Sequence, residues 1–526
     1  MQRVIRFFER GVFAPFLLSI QPVLHLFLIN VAELNFSESL RSILVSLLFG
    51  AIVLCVIYLL VRDWRKASSV ASSFILFFFL FGDVAGWVVE TFGLGPVRTD
   101  LLILALVGTC VLLWLWLVQT RIKNIGTVNL YFNLLSVLLI INSGIRVNNY
   151  LRENGIALDQ KDPSPMAVAE VQGAQPDIYY IVLDGYGRED ILRTLYEFDN
   201  SQFLQQLESR GFYVASEASS NYVQTMLSIS SSLNMDYIHS LTVEGLPIES
   251  RADLVEILQT NKVRNTLAQN GYQLISFRNQ YKATVPSAEI YYDDTGNDLT
   301  YPITAFESLV IDHTMARVLS HVPGLNKVLI QMPYDTHRTE ILSTFDRMQD
   351  VPAMDGNYFV YAHIIAPHPP FVFDENGMIL SPNEPFKLAD ANHFVKSHSR
   401  KAYIVGYRNQ LQYINTRVLE VVDAILANSD VPPIIILQGD HGPGAHMHYG
   451  SLEKTLPAER FGILNAYYFP GQDYGELYPS ISPVNSFRVV LNQFFAQDYA
   501  LLPDRHYYSP WGYPFDFTEV TDFSLP

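Results

Sequence analysis

Five apolar runs in residues 1–150 constrain this chain more than anything else in it. They cover 12–31, 42–61, 68–89, 101–119 and 127–145, each close to the roughly 20 residues a helix needs to cross a bilayer. Backbone in hydrocarbon must satisfy its own hydrogen bonds, so runs of this length are expected to be spanning helices packed as a bundle. Gln21, His25 and Asn30 interrupt the first run, and Asn133 and Asn142 the fifth. Polar groups at that depth usually turn toward other helices. Asp83 lies in the third run and Glu90 at its end. A carboxylate in lipid is costly, so Asp83 is expected to pair within the bundle and Glu90 to sit among headgroups. The other reading is a face where a lipid substrate enters.

Basic residues sort the connecting loops. Arg3, Arg6 and Arg10 precede the first run, Arg62, Arg65 and Lys66 follow the second, and Arg121 and Lys123 follow the fourth. The remaining loops are poorer in basic residues. The positive-inside bias therefore predicts a cytoplasmic N-terminus, and five crossings carry residues 146–526 to the other side. The first run is too long and too interrupted for a cleaved signal, and no small-residue cleavage site follows it. It reads as a retained anchor.

Charge divides at the same place. Residues 1–150 carry a net charge of +4 and residues 151–526 a net of -21, within a total of -17. Nucleic-acid binding needs Lys and Arg to displace counterions, so the acidic part is expected to have no nucleic-acid partner. With 49% hydrophobic residues and only 17% charged, the chain can bury enough apolar surface to fold. The two cysteines, Cys55 and Cys110, both fall in apolar runs. The acidic part can therefore hold no disulfide, no cysteine zinc site and no cysteine nucleophile.

Residues 151–176 are polar and include Pro163, Pro165 and Pro176, the composition of a linker. The chain thus reads as a membrane domain over 1–150, a linker over 151–176 and an outer domain over 177–526. Apolar runs at 177–184, 271–277, 357–365, 432–440 and 463–469 fit strands buried on both faces of a parallel sheet. Helical patterns at 200–211, 399–429 and 486–495 separate some of them. Alternation of this kind predicts an α/β sandwich around a mostly parallel sheet, with ligands beyond the carboxyl ends of its strands. The tract 281–356 has no assignable pattern.

Two of these strands end in acid-bearing, glycine-rich turns, Asp184-Gly185-Tyr186-Gly187 and Gly439-Asp440-His441-Gly442. Two carboxylates and an imidazole suit a hard-to-borderline cation such as Zn, Mn or Mg. An isolated Asp-Gly pair is usually only a turn, whereas GDHG after PPIIIL serves no core. Between them a polar segment, SSNYVQ, runs into the helical TMLSISSSLN. A hydroxyl there, Thr225 above Ser228 or Ser230, sits at the positive end of a helix dipole, although capping is the commoner role of a helix-start threonine. Arg188 follows the first turn and could offset local negative charge, or be a surface charge.

These three motifs, in this order, resemble the alkaline phosphatase superfamily, and within it the membrane-anchored sulfatase-like hydrolases and transferases, similar to the lipoteichoic acid synthase and phosphoethanolamine transferase branches. The resemblance covers 177 to about 507. It implies an alkaline-phosphatase-like α/β fold behind the multi-pass helical membrane domain. It further implies a metal held by Asp184, Thr225, Asp440 and His441, with Thr225 as nucleophile. It places a substrate histidine in a segment like APHPPF, for which His363 and His368 are the candidates; His368 is the better match, and His363, inside the strand, reads more readily as a core histidine. A later histidine is expected too, with His446 and His448 as candidates. One metal is expected rather than two, although Asp374 with His368 could extend the set. Sulfatases proper mature a Cys or Ser within a fixed motif, and Thr225 cannot form that aldehyde.

The function implied is transfer of a phospho-headgroup, of phosphoglycerol or phosphoethanolamine type, from a membrane lipid through a covalent threonine intermediate to an envelope glycan or lipid. The setting implied is a bacterial-type plasma membrane with the catalytic domain outside. Two alternatives stand beside it. One is a metal-dependent phosphodiesterase, phosphatase or sulfuric ester hydrolase that uses water. The other is a non-catalytic envelope protein that keeps the fold.

Overall fold

The computed structural model describes residues 2–30, 36–154, 175–295, 303–322, 324–382, 384–388, 390–521, 523 and 525. Most of the 151–176 linker and the side chain of Glu90 lie outside the described residues. The chain forms two compact units, one of Met1–Gln160, Leu299–Pro333 and Asn383–Lys387, the other of Lys161–Asp298, Tyr334–Pro382 and Leu388–Pro526.

The first unit is helical: α1 (Gln2–Arg10), α2 (Ala14–Ile29), α3 (Phe36–Val61), α4 (Trp64–Phe92), α5 (Pro96–Thr120) and α6 (Ile125–Asn154). The last four are long and apolar enough to cross a membrane; α1 and α2, bent by 82° at their junction, make a fifth span if counted as one. The bend falls at the start of the first run, whereas its interrupting residues Gln21 and His25 lie inside α2 and Asn30 at its end. Breaking a helix frees carbonyls that hydrocarbon cannot satisfy, and α6 supplies donors for them. Asn133 Nδ2 donates to Phe8 and Gly11 carbonyls at 2.7 and 2.8 Å, and Asn133 Oδ1 accepts from Ala14 N at 2.9 Å. The polar residue of the fifth run thus seals the break in the first.

Part of the unassigned 281–356 tract also belongs to this unit. Helix α7 (Ala305–His313) starts on a capping box between Thr304 and Glu307. Its end lies against α4 so closely that a Cβ on Gly82 would fall 2.2 Å from the Asp312 carbonyl oxygen. Asp83 does pair within the bundle, with His313 Nδ1 at 2.8 Å. Arg41 pairs with Glu307.

The second unit is built on seven strands: β1 (Ile178–Leu183), β2 (Tyr213–Val214), β3 (Gln273–Phe277), β4 (Ile290–Tyr292), β5 (Tyr358–Ile364), β6 (Ile434–Gly439) and β7 (Asn465–Tyr468). Their order is β2-β7-β6-β1-β5-β3-β4, and β7 runs opposite in direction to the other six. The five apolar runs of the sequence are five of these strands. Every residue of β1, β5 and β6 is buried, as expected of strands covered on both faces. One covering layer is α8 (Thr225–Asn234) with α9 (Pro483–Phe495), whose Ile229, Leu233 and Phe487 pack on Tyr180 and Val182.

Candidate active site

Register brings the two acid-bearing turns together. In the parallel β1–β6 pair Leu183 lies opposite Gly439, and in the β1–β5 pair Val182 lies opposite His363. Side chains two residues apart share a face of a strand, and opposed residues of parallel strands share one too. Asp184 and Asp440, the next residues after the paired ends, therefore come out beside each other on the face that carries His363. The turn after β6 needs its glycine, because a Cβ on Gly442 would fall 2.0 Å from the Glu459 carbonyl oxygen.

Asp184, His363 and Asp440 place one ligand atom each within 4.8 Å of one another, all buried. His363 Nε2 is 3.3 Å from Asp184 Oδ2, and His441 Nε2 is 3.3 Å from Asp440 Oδ2 and 3.7 Å from Asp184 Oδ1. Asp184 Oδ1, Asp440 Oδ2 and His363 Nε2 are buried without a hydrogen-bond partner. Buried polar atoms are seldom left unpaired, and three converging on one place fit a cation between them.

Both imidazoles are anchored at Nδ1. His441 Nδ1 faces the Gly442 carbonyl at 3.0 Å. A carbonyl only accepts, so the proton is on Nδ1, and the Nε2 lone pair faces Arg460 Nη2 at 3.0 Å and Thr225 Oγ1 at 3.1 Å. Thr284 Oγ1 donates to the Tyr281 carbonyl at 2.8 Å and lies 2.7 Å from His363 Nδ1, with Asn279 Nδ2 3.3 Å from the same nitrogen. Burial, reinforced by Arg460, lowers the His441 pKa against the pull of Asp440, Asp184 and Asp390, which keeps the ring neutral. Burial pushes the Asp184 pKa up, but His368, His363 and His441 outweigh it and hold the carboxyl below its ordinary range.

Thr225 is the first residue of α8; the cap position is Gln224, and Thr225 caps nothing. Its Oγ1 lies 3.1 Å from His441 Nε2. The rival hydroxyls point elsewhere: Ser228 Oγ donates to the Asp440 carbonyl at 2.6 Å, and Ser230 Oγ to the Leu254 carbonyl. Asp184, Thr225, Asp440 and His441 thus share one place. His363, read from its strand position as a core histidine, stands among them. His368 is joined to them through its backbone N–H, which donates to the Asp184 carbonyl at 3.1 Å, and its ring faces Asp390 at 3.9 Å.

The other candidates have work of their own. Arg188 binds Asp190 and the carbonyls of Glu217 and Ala218. His446 pairs with buried Glu459 at 3.0 Å, and His448 Nδ1 accepts from Gly450 N. Asp374 closes a turn by accepting from Asn376 and Met378 N–H. Sequence reading missed Arg460, buried, 3.0 Å from His441 Nε2 and 2.8 Å from Asp390. It also missed Asp390, which accepts from Tyr403.

A mostly parallel sheet thus gathers two carboxylates, two histidines and a helix-start threonine beyond its strand ends, as a sulfatase-like site would. The family model described as Sulfatase matches residues 170–479, and the chain belongs to that family. No curated protein matches the chain. Among solved structures, it is similar to the integral membrane lipooligosaccharide phosphoethanolamine transferase A of Neisseria meningitidis, at 14% identity and TM-score 0.43, covering 91% of this chain and 95% of that one. The C-terminal periplasmic domain of EcEptC from Escherichia coli, in complex with Zn, gives 11% identity and TM-score 0.38 over 63% of this chain and 86% of that one. A protein in the alkaline phosphatase superfamily from Vibrio parahaemolyticus gives 11% and 0.38 over 71% and 82%.

Proposed function

We propose that this protein transfers a phospho-headgroup, of phosphoglycerol or phosphoethanolamine type, from a membrane lipid to an envelope glycan or lipid, through an ester on Thr225. The observation that carries the reading is the convergence of three unpartnered buried ligand atoms beside a helix-start hydroxyl that caps nothing. Asp184, Asp440, His441 and Thr225 would hold a divalent cation, Zn, Mn or Mg, with His363 Nε2 in reach of the same place. Such a cation lowers the pKa of a coordinated hydroxyl and neutralises charge on phosphoryl oxygens.

The chain's own groups then divide the work. Thr225, its hydroxyl proton released to water, attacks the phosphorus through Oγ1, its bond to phosphorus forming as the bond to the lipid's glycerol oxygen breaks. The start of α8 directs backbone N–H groups and the positive end of its dipole at the equatorial oxygens. His368, at the rim of the group, gives a proton to the departing alkoxide. An acceptor alcohol next attacks the same phosphorus and releases Thr225. Arg460, tied to Asp390, brings a fixed positive charge against His441. The membrane helices support a lipid donor, and the loop charges support a plasma membrane of bacterial type with the catalytic unit outside.

Intact-mass spectrometry of the full-length protein after incubation with total bacterial lipids tests the reading. Wild type is expected to gain the mass of one headgroup, on Thr225. Thr225→Ala, or wild type stripped with EDTA, is expected to gain none. Discharge by an added alcohol and not by water separates transferase from hydrolase. An equal adduct on Thr225→Ala would remove Thr225 from its role.

A further inference from the structure

The helical unit contains a cavity of about 520 Å³, within the size range of pockets that hold small ligands. Its wall is made by α3 at Val45 and Phe49, α4 at Phe78, α5 at Leu104, and the excursion that begins with α7, at Met315 and Leu319. The lining includes no charged side chain. Of its two hydroxyls, the one on Thr314 is spent on the Ile311 carbonyl at 3.0 Å. Val45 and Leu319 are 61% and 47% exposed, so the wall is continuous with the outer surface of the unit. That surface is apolar along α3, where Leu44, Leu48 and Ile52 are exposed as well.

The level of the cavity is marked by charge. Asp100, near the start of α5, binds His321 at 2.9 Å and Arg317 at 3.3 Å, and Asp312 binds Lys387 at 2.7 Å. Ion pairs of this density belong at the depth of lipid headgroups, not in hydrocarbon. Leu104 is four residues further along α5, about 6 Å deeper at the rise of an α-helix. The cavity therefore reaches from the headgroup level, where Val318 and Leu319 lie between Arg317 and His321, to at least one turn below it, where acyl chains begin. An empty apolar void forfeits dispersion contacts on every wall, and the apolar group that abuts this one is a lipid tail.

We infer that the cavity between α3, α4, α5 and the 305–319 excursion seats one acyl chain of a membrane phospholipid. The inference rests on the proposed function only in naming that lipid as the headgroup donor. It also gives the excursion a purpose, as the part of this chain that turns an ordinary bundle face into a slot for a single tail.

The test uses the full-length protein in vesicles of phosphatidylethanolamine and phosphatidylglycerol. A small share of the phosphatidylethanolamine carries a photoreactive diazirine midway along one chain, and cross-links are mapped by mass spectrometry. Peptides bearing Phe78 and Met315 are expected to be labelled several-fold more than those bearing Leu106 and Leu112, which are 62% and 67% exposed on α5. Ala316→Trp, which fills the cavity, is expected to remove the excess. Uniform labelling overturns the inference without any variant having to fold. So does labelling below the α5 level, the pattern of a cavity covered by a second copy of the chain. Enriched labelling with no headgroup adduct on Thr225 keeps the slot and sinks the proposed function; an adduct without enrichment does the reverse.

Discussion

Arg460 and Asp390 are a buried ion pair at 2.8 Å, each about 4% exposed. Removing one partner of such a pair leaves an uncompensated charge and costs about 3–5 kcal/mol. Arg460→Met is therefore expected to lower the unfolding midpoint sharply, and Arg460→Met with Asp390→Leu to recover much of the loss, both read by thermal unfolding of the full-length protein. If the single variant unfolds like wild type, the pair does not hold the turn that carries His441. Legibility at this scale follows the same physics. Asp440 stands out in the sequence because GDHG after PPIIIL serves no core, and Asp184 stands out only beside it, since an isolated Asp-Gly pair is usually a turn. His363 does not, since a histidine inside a strand is usually satisfied in the core, and only register with Val182 shows which way it faces. Arg460 lies in PAERF, which reads as an ordinary surface helix; nothing local announces that its guanidinium is buried against a histidine 19 residues away.

The elements that sequence reveals are those whose pattern is self-contained. The strands β1, β3, β5, β6 and β7 are apolar because both their faces are covered, and that shows in each run by itself. The span before α3 is harder to read. Its break between α1 and α2 leaves backbone groups whose partner, Asn133, comes more than 100 residues later in α6. Helix α7 is illegible for the same reason, since what fixes it is Gly82, more than 200 residues earlier. A side chain at Gly82 has no room beside the Asp312 carbonyl, and overpacking typically costs about 1–3 kcal/mol. Gly82→Leu is thus expected to free α7 from α4. Hydrogen exchange should show faster exchange at 305–313 and no change in β1 or β6. Unchanged protection of 305–313 would mean that the packing seen at Gly82 does not hold α7.

At the scale of the whole molecule, the asymmetry of charge along the chain predicts which side each part occupies. Arg3, Arg6 and Arg10, then Arg62, Arg65 and Lys66, then Arg121 and Lys123 fall at alternate ends of the helices. If α1 and α2 together cross once, these three clusters lie on one side, and α6 leads the chain to the other. The positive-inside rule makes the clustered side cytoplasmic. The residues past α6 carry nearly all the acid. The two native cysteines make this easy to check, because both lie in spans, Cys55 in α3 and Cys110 in α5. In a Cys55→Ala, Cys110→Ala background, Lys123→Cys and Asp498→Cys place single thiols at exposed positions on either side. In intact spheroplasts a membrane-impermeant maleimide is expected to label Asp498→Cys at once and Lys123→Cys only after the membrane is opened. The opposite order would put the acidic unit and its threonine in the cytoplasm, away from any envelope acceptor. Labelling of both thiols in closed spheroplasts would mean that the bent α1–α2 pair, or another of the five, does not cross.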